Sequence, residues 1–142
     1  MPLNRRKLLC YAGCSTGLAL VGCGSSTGSP PTGPVNGGNV SALAVGALVV
    51  MSNVAVGRDA DGVYGMSAVC THAGCFLGDA SGTIAAGLGC GCHGSTFDGN
   101  GNVTRGPAIA ALQHYAVTIA ADGAITVDGG QPVEPTTRTP VG

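Results

Sequence analysis

Two short segments, CTHAGC at 70–75 and CGCHGSTF at 90–97, hold four of the chain's seven cysteines and two of its three histidines. Their pattern is Cys70-x-His72, a seventeen-residue interval, then Cys90-x-x-His93. Thiolate and neutral imidazole are metal donors, so a fold that uses both segments at one centre must fold the chain back on itself between them. The first segment follows a strand-like run and the second follows the glycine-rich AAGLG, so both read as loops, where backbone N–H groups are free to face a ligand. A closed Cys₂His₂ zinc site is the first alternative. Each segment, however, carries a further cysteine, Cys75 and Cys92, for which such a site has no use. A Cys₂His₂ finger also places its histidines on a helix, which this sequence does not offer.

The remainder argues for strands. With 26 glycines, eight prolines, no tryptophan and two phenylalanines in 142 residues, the composition suits one turn-rich β domain better than a helical bundle. LAVGALVVM (43–51) is apolar on both faces and predicts a buried strand. NVAVGR and VYGMSAV flank Asp59-Ala60-Asp61-Gly62, and YAVTIA and AITV flank Asp122-Gly123, which predicts two hairpins. PAIAALQHY (107–115) has a glycine-proline entry and a β-like continuation, so it is not read as a helix. The expected fold class is all-β, a small antiparallel domain. The net charge is −1, and the only basic cluster lies in the first seven residues, which excludes a nucleic-acid footprint.

The first 22 residues read as an export signal. Arg5, Arg6 and Lys7 precede an apolar run at 8–22 that is too short to span a bilayer, and the Arg-Arg pair resembles a twin-arginine signal. Leu20-Val21-Gly22-Cys23 resembles a lipobox, so Cys10 and Cys14 are expected to leave with the signal and Cys23 to carry lipid. An uncleaved anchor, or a chance cysteine near the end of a signal, is the plainer alternative. Residues 23–39 are rich in glycine, serine, threonine and proline and read as a flexible linker. The folded domain is then 40–128, and residues 129–142 are expected to form a disordered tail.

The paired segments resemble the cluster motif of Rieske [2Fe-2S] proteins, and the likeness continues through FDGNGNVTRGPA (97–108) into the flanking strands. The resemblance implies a Rieske-type β domain with a cluster-binding loop subdomain. It implies that Cys70 and Cys90 hold one iron and His72 and His93 the other. It also implies a Cys75–Cys92 disulfide, a Ser95 hydroxyl bonded to a bridging sulfide, and a covering loop at Gly106-Pro107-Ala108. Two ferric ions, two sulfides and two thiolates sum to zero charge. Imidazole ligation therefore eases electron uptake, with potentials of about −150 to +300 mV against about −400 mV for plant-type ferredoxins. Imidazoles on the reducible iron are expected to lose protons more readily when it is oxidised. A disulfide belongs to an oxidising compartment, the same address as the export signal gives: the periplasmic side of a bacterial membrane.

Three positions depart from the quinol-oxidising members of that family. Phe97 replaces a tyrosine whose hydroxyl bonds a ligand sulfur, which predicts a lower potential. Ala73 replaces a leucine that shields the cluster, and Gly91 replaces a proline. The expected function is electron transfer, as a lipid-anchored carrier or as the iron–sulfur subunit of a membrane-associated oxidoreductase. The implied partners are a cytochrome bc-type complex or an arsenite-oxidase-like molybdenum enzyme. The alternatives are a ferredoxin component of an oxygenase system and a structural zinc lipoprotein. No nucleophile–base pair or carboxylate couple suggests a self-contained active site. His114 is expected on a strand's solvent face, and Tyr64, Tyr115 and Met66 in the core or at its rim. Asp59, Asp61, Asp98 and Asp122 read as turn residues.

Overall fold

Asp59 organises the turn between β3 (Val54–Arg58) and β4 (Val63–Ser67), its carboxylate accepting the N–H groups of Asp61 and Gly62 at 3.0 and 3.1 Å. The two strands pair antiparallel in continuous register from Val54↔Ser67 to Arg58↔Val63. This hairpin is the centre of the computed structural model, which describes residues 26–78 and 82–142. The export signal, the lipobox and Cys23 lie outside the described residues.

β2 (Leu48–Met51) adds to β3, and β8 (His114–Ile119) adds to β4. The second expected hairpin joins β8 to β9 (Ala124–Val133) through Asp122-Gly123, and β1 (Pro34–Asn39) closes the order β1-β9-β8-β4-β3-β2. A smaller sheet contains β5 (Leu88–Gly89), β6 (Thr96–Phe97) and β7 (Val103–Arg105). All strand pairings are antiparallel, and the only helical element among the described residues is a single 3₁₀ turn at Val40–Ala42. The all-β expectation holds.

The central strands are apolar on both faces because each face has its own core. Val54, Val56 and Val63 point into a cluster with Ile125, Val127 and Tyr115 inside the curled large sheet. Ala55, Tyr64 and Met66 face the other way, into a cluster with Leu77, Leu88, Phe97, Leu112 and the cysteines Cys70, Cys75 and Cys90. The paired-loop subdomain therefore packs on the back of the large sheet and shares its hydrophobic core.

Four expectations need correction. The strand expected at 43–51 is confined to Leu48–Met51, because Gly46 adopts φ +89° and turns the chain, leaving Val45 exposed. The linker expected through residue 39 already contains β1, which pairs Val35 with Val127. A Cβ on Gly37 would lie 2.8 Å from Ile125 and 3.2 Å from Val56, so the residue that suggested looseness is what lets β1 close on the core. The tail at 129–142 is also ordered. β9 runs through Val133, and Thr139 exchanges both backbone hydrogen bonds with Val63 at 2.9 and 2.8 Å. Arg138 pins it, with Nε 2.6 Å from the Asp59 carboxylate and its guanidinium 4.1 Å from the centre of the Tyr64 ring.

The fourth correction concerns His114, which is 1% exposed rather than solvent-facing. The 98–102 turn, held by the Asp98 carboxylate, covers that face of β8. His114 Nε2 lies 2.8 Å from the Asn100 carbonyl, and the ring stacks on Tyr64 at 5.7 Å. Burial holds its pKa below the ordinary imidazole value.

Candidate metal centre

Each cysteine-histidine segment is the tip of a small hairpin. Val69 bridges Phe76 below the first loop, and β5 pairs with β6 below the second. Within the tips the backbone follows one pattern twice. Cys70 N–H donates to the Cys75 carbonyl at 2.8 Å and Gly74 N–H to the Cys70 carbonyl at 3.0 Å. Cys90 N–H donates to the Ser95 carbonyl at 2.8 Å and Gly94 N–H to the Cys90 carbonyl at 3.1 Å. Both turns close through a left-handed glycine, Gly74 at φ +74° and Gly94 at φ +80°, a conformation that a side chain at either position would strain.

Folding brings the two tips together and sorts their side chains by depth. Cys70 and Cys90 are free and buried, with Cys70 in side-chain contact with Cys90. His72 and His93 are exposed, their rings edge to face with centroids 4.8 Å apart. Burial pushes the Cys90 thiol above its usual pKa; backbone hydrogen bonds from Cys92 and His93 oppose the rise, and neighbouring Cys70 adds to it. Two adjacent thiolates in an apolar pocket need cationic charge to be stable, and a metal centre supplies it.

The donors form two pairs, sulfur inside and nitrogen outside, rather than one tetrahedron. A single zinc ion holds four donors roughly 3–4 Å from one another. Among the described residues, the set of three or more donor atoms lying within 4.8 Å of each other is Cys75, Cys90 and Cys92. Two of those are already spent, because Cys75 and Cys92 form a disulfide with Cα atoms 6.5 Å apart, tying one loop to the other. The arrangement suits a binuclear group with one sulfur-held and one nitrogen-held metal.

Ser95 adds a further sign of fit. It is 1% exposed, and its hydroxyl oxygen accepts the Ala108 N–H at 3.0 Å. A hydroxyl has one proton to give, and accepting that bond leaves the proton free for an acceptor in the pocket. The same bond draws the Gly106-Pro107-Ala108 segment against the second loop, and the Thr71 hydroxyl reaches the Ala110 carbonyl at 2.6 Å to hold that segment against the first. Phe97 is buried in the same apolar cluster as Cys70 and Cys90, whereas Ala73 and Gly91 lie at the surface.

Two parts of this end of the molecule escaped sequence reasoning. Ile109 stands 97% exposed on the covering segment, a position that nothing in PAIAALQHY distinguishes from its neighbours. Residues 26–29 lie along the first loop. Ser26 accepts from Phe76 N–H at 3.0 Å, Gly28 donates to the Gly74 carbonyl at 2.9 Å, and Asn53 bonds the Ser29 carbonyl at 3.2 Å. Small polar residues carry no pattern that announces such docking.

Comparison with known proteins agrees with this geometry. The family profile described as Rieske [2Fe-2S] domain matches residues 35–116, more than half of the chain. The chain is 46% identical over 66 residues to the cytochrome b6-f complex iron-sulfur subunit of Synechococcus sp. (strain CC9605), covering 46% of this chain and 36% of that protein. It is 39% identical over 74 residues to the same subunit of Synechococcus sp. (strain JA-3-3Ab), covering 52% of this chain and 39% of that protein. It thus spans well under half the length of these curated relatives. Among solved structures, the cyanobacterial plasma membrane Rieske protein of Synechocystis PCC 6803 superposes with a TM-score of 0.50 and 27% identity, covering 66% of this chain and 97% of that one. The ferredoxin of carbazole 1,9a-dioxygenase from Nocardioides aromaticivorans gives the same TM-score and identity over 67% of this chain and 96% of its own. The chain belongs to the Rieske [2Fe-2S] domain family, and the group it takes is a Rieske-type [2Fe-2S] cluster.

Proposed function

We propose that this chain is an exported, lipid-anchored electron carrier, or the iron–sulfur subunit of a membrane-associated oxidoreductase. The bound cluster supplies one-electron chemistry. Cys70 and Cys90 would hold it from the buried side, and His72 and His93 would hold the iron that faces solvent. The observation that carries the reading is this asymmetry of depth: buried sulfur behind, exposed imidazole in front, with the outer edge open to a partner. Electron exchange needs close approach, and the exposed rings provide it.

The surface around the histidines suits a protein partner with an uncharged face. Residues 70–75, 90–95 and 106–113 contain no Asp, Glu, Lys or Arg, and Ile109 projects from them. The relatives named as cytochrome b6-f subunits favour a quinol-oxidising assembly, while Phe97, Ala73 and Gly91 distance the chain from that role. An arsenite-oxidase-like complex remains within the same proposal. A second reading, the ferredoxin component of an oxygenase system, is favoured by the likeness to the carbazole dioxygenase ferredoxin. The disulfide favours the first reading, because such a bridge belongs to an oxidising compartment.

Lipid attachment at Cys23 would also set the cluster's height. Cys23 stands three residues before Ser26, about 10 Å of extended chain at most, and Ser26 is hydrogen-bonded beside the first loop. On this reading the anchor is a short leash, and the cluster end stays close to the membrane surface.

The test is spectroscopic. Purified protein should be coloured, contain iron and acid-labile sulfide in equal amounts, and give the EPR signal of a mixed nitrogen- and sulfur-ligated cluster when reduced. His93→Ala should lose that signal. A colourless protein, or an unchanged spectrum in His93→Ala, would overturn the assignment. For the address, Cys23→Ala should move the protein from the membrane to the soluble periplasmic fraction. No redistribution would refute the lipid anchor.

A further inference from the structure

Cys90 has a neighbour besides its partner thiol. Its sulfur and those of Cys75 and Cys92 all lie within 4.8 Å of one another, and Cys75 and Cys92 are the bridged pair. A free thiol therefore sits against a disulfide inside one buried cluster, where rotation of side chains is enough for contact. We propose that Cys90, whenever it is not bound to iron, exchanges with this bridge and locks the empty protein against reloading.

The step is a thiol–disulfide exchange. Cys90 Sγ, having given up its proton, attacks Cys75 Sγ. The Cys75–Cys90 bond forms as the Cys75–Cys92 bond breaks, and the bond's electron pair leaves with Cys92 Sγ, which takes up a proton. One disulfide is exchanged for another, so no oxidant or reductant is consumed. Attack at Cys75 keeps a covalent link between the two loops. Attack at Cys92 would instead close a ring across Gly91 within one tight turn, whose shape the Gly94 N–H to Cys90 carbonyl bond already fixes.

The consequence depends on Cys90 being an iron ligand, as proposed above. Iron binding then does two jobs: it carries the electron, and it keeps Cys90 from the bridge beside it. After cluster loss, Cys90 is tied to Cys75, and the free thiols are Cys70 and Cys92. That set cannot rebuild the buried sulfur pair, so reloading needs a thiol reductant first.

The experiment starts from cluster-loaded protein. Iron is stripped with a chelator under argon, samples are alkylated at intervals, and the chain is cleaved before Asp79 and Asp98. That cut separates Cys70 and Cys75 from Cys90 and Cys92, and fragmentation between residues 90 and 92 identifies the linked cysteine. The expected result is a growing Cys75–Cys90 linkage with Cys92 alkylated, and recovery of the visible spectrum by iron and sulfide only after reductant is added. Cys70→Ser, which removes a proposed ligand but leaves the three sulfurs in place, should carry the same linkage as isolated, without any stripping step. Persistence of Cys75–Cys92 with Cys90 alkylated would overturn the proposal, and the wild-type map alone decides it. A Cys75–Cys90 linkage already present in loaded protein would support exchange but remove Cys90 from the ligand set, which separates the two readings.

Discussion

Replacing Ser95 by alanine tests the candidate site through two independent readouts. The hydroxyl oxygen is committed to the Ala108 N–H at 3.0 Å, and its proton is available to the pocket. A hydrogen bond to a neutral acceptor contributes about 0.5–1.5 kcal/mol and one to a charged acceptor about 1.5–3 kcal/mol. Reduction adds one negative charge to the cluster, so the bond is stronger in the reduced state by roughly 1–1.5 kcal/mol. For a one-electron couple, a tenfold change in equilibrium is 59 mV, and tenfold is about 1.4 kcal/mol, so Ser95→Ala should lower the midpoint potential by roughly 40–65 mV. The second readout is stability. Ala108 is buried, and its N–H would lose its acceptor at a cost of about 1–3 kcal/mol. Redox titration followed by EPR or visible circular dichroism gives the first quantity, and urea unfolding of the loaded protein gives the second. A drop in stability with an unchanged potential would refute the claim that the hydroxyl faces the cluster and reduce Ser95 to a fastener for the covering segment. Ser95→Thr, which keeps the hydroxyl, should hold the potential nearer the wild-type value.

Phe97→Tyr adds a donor in the apolar cluster that contains Cys70 and Cys90, so the potential should rise by a similar 40–65 mV or so; a fall would contradict the hydrogen-bond argument. Cys75→Ser removes a cross-link between residues 17 apart in sequence, worth about 3 kcal/mol in loop entropy. The cluster should still assemble but bleach faster, and an equal lifetime would deny the bridge a structural role. Arg138→Ala should cost roughly 2 kcal/mol, combining a partly buried ion pair, a cation–π contact and the tail carbonyls of Pro135 and Thr137, as measured by the urea midpoint at pH 7. Burial alone would raise the pKa of Asp59, but Arg138 and the N–H groups of Asp61 and Gly62 bring it below its ordinary 3.8. The contribution of a depressed carboxylate is present above the unfolded pKa and fades as pH falls through the folded one. The gap between wild type and Arg138→Ala should therefore narrow in acid below about pH 4, and a gap that widens there would reverse the assignment.

Family and cluster type were legible in the linear chain, because both rest on residue identity and spacing. The residue types and intervals at Cys70, His72, Cys90 and His93 are local facts, and so are the glycines that let Cys70 and Cys90 head tight loops. Hairpin turns at Asp59 and Asp122 were legible for the same reason, since an aspartate caps the N–H groups of its own next residues. Whatever depends on the cover over a residue was set by contacts from distant parts of the chain. His114 looked like a solvent-facing strand position because the 98–102 turn that buries it comes from elsewhere in the chain. The glycine- and proline-rich ends looked loose, yet Gly37 makes room for β1 against Val56 and Ile125, and Arg138 fastens the tail to Asp59 and Tyr64. Low side-chain bulk reads as flexibility along a chain, but in a packed barrel it is what permits close approach. Nor could spacing show that Cys90 would rest beside the Cys75–Cys92 bridge, because distances between loops are set by the core beneath them rather than by the residues within them.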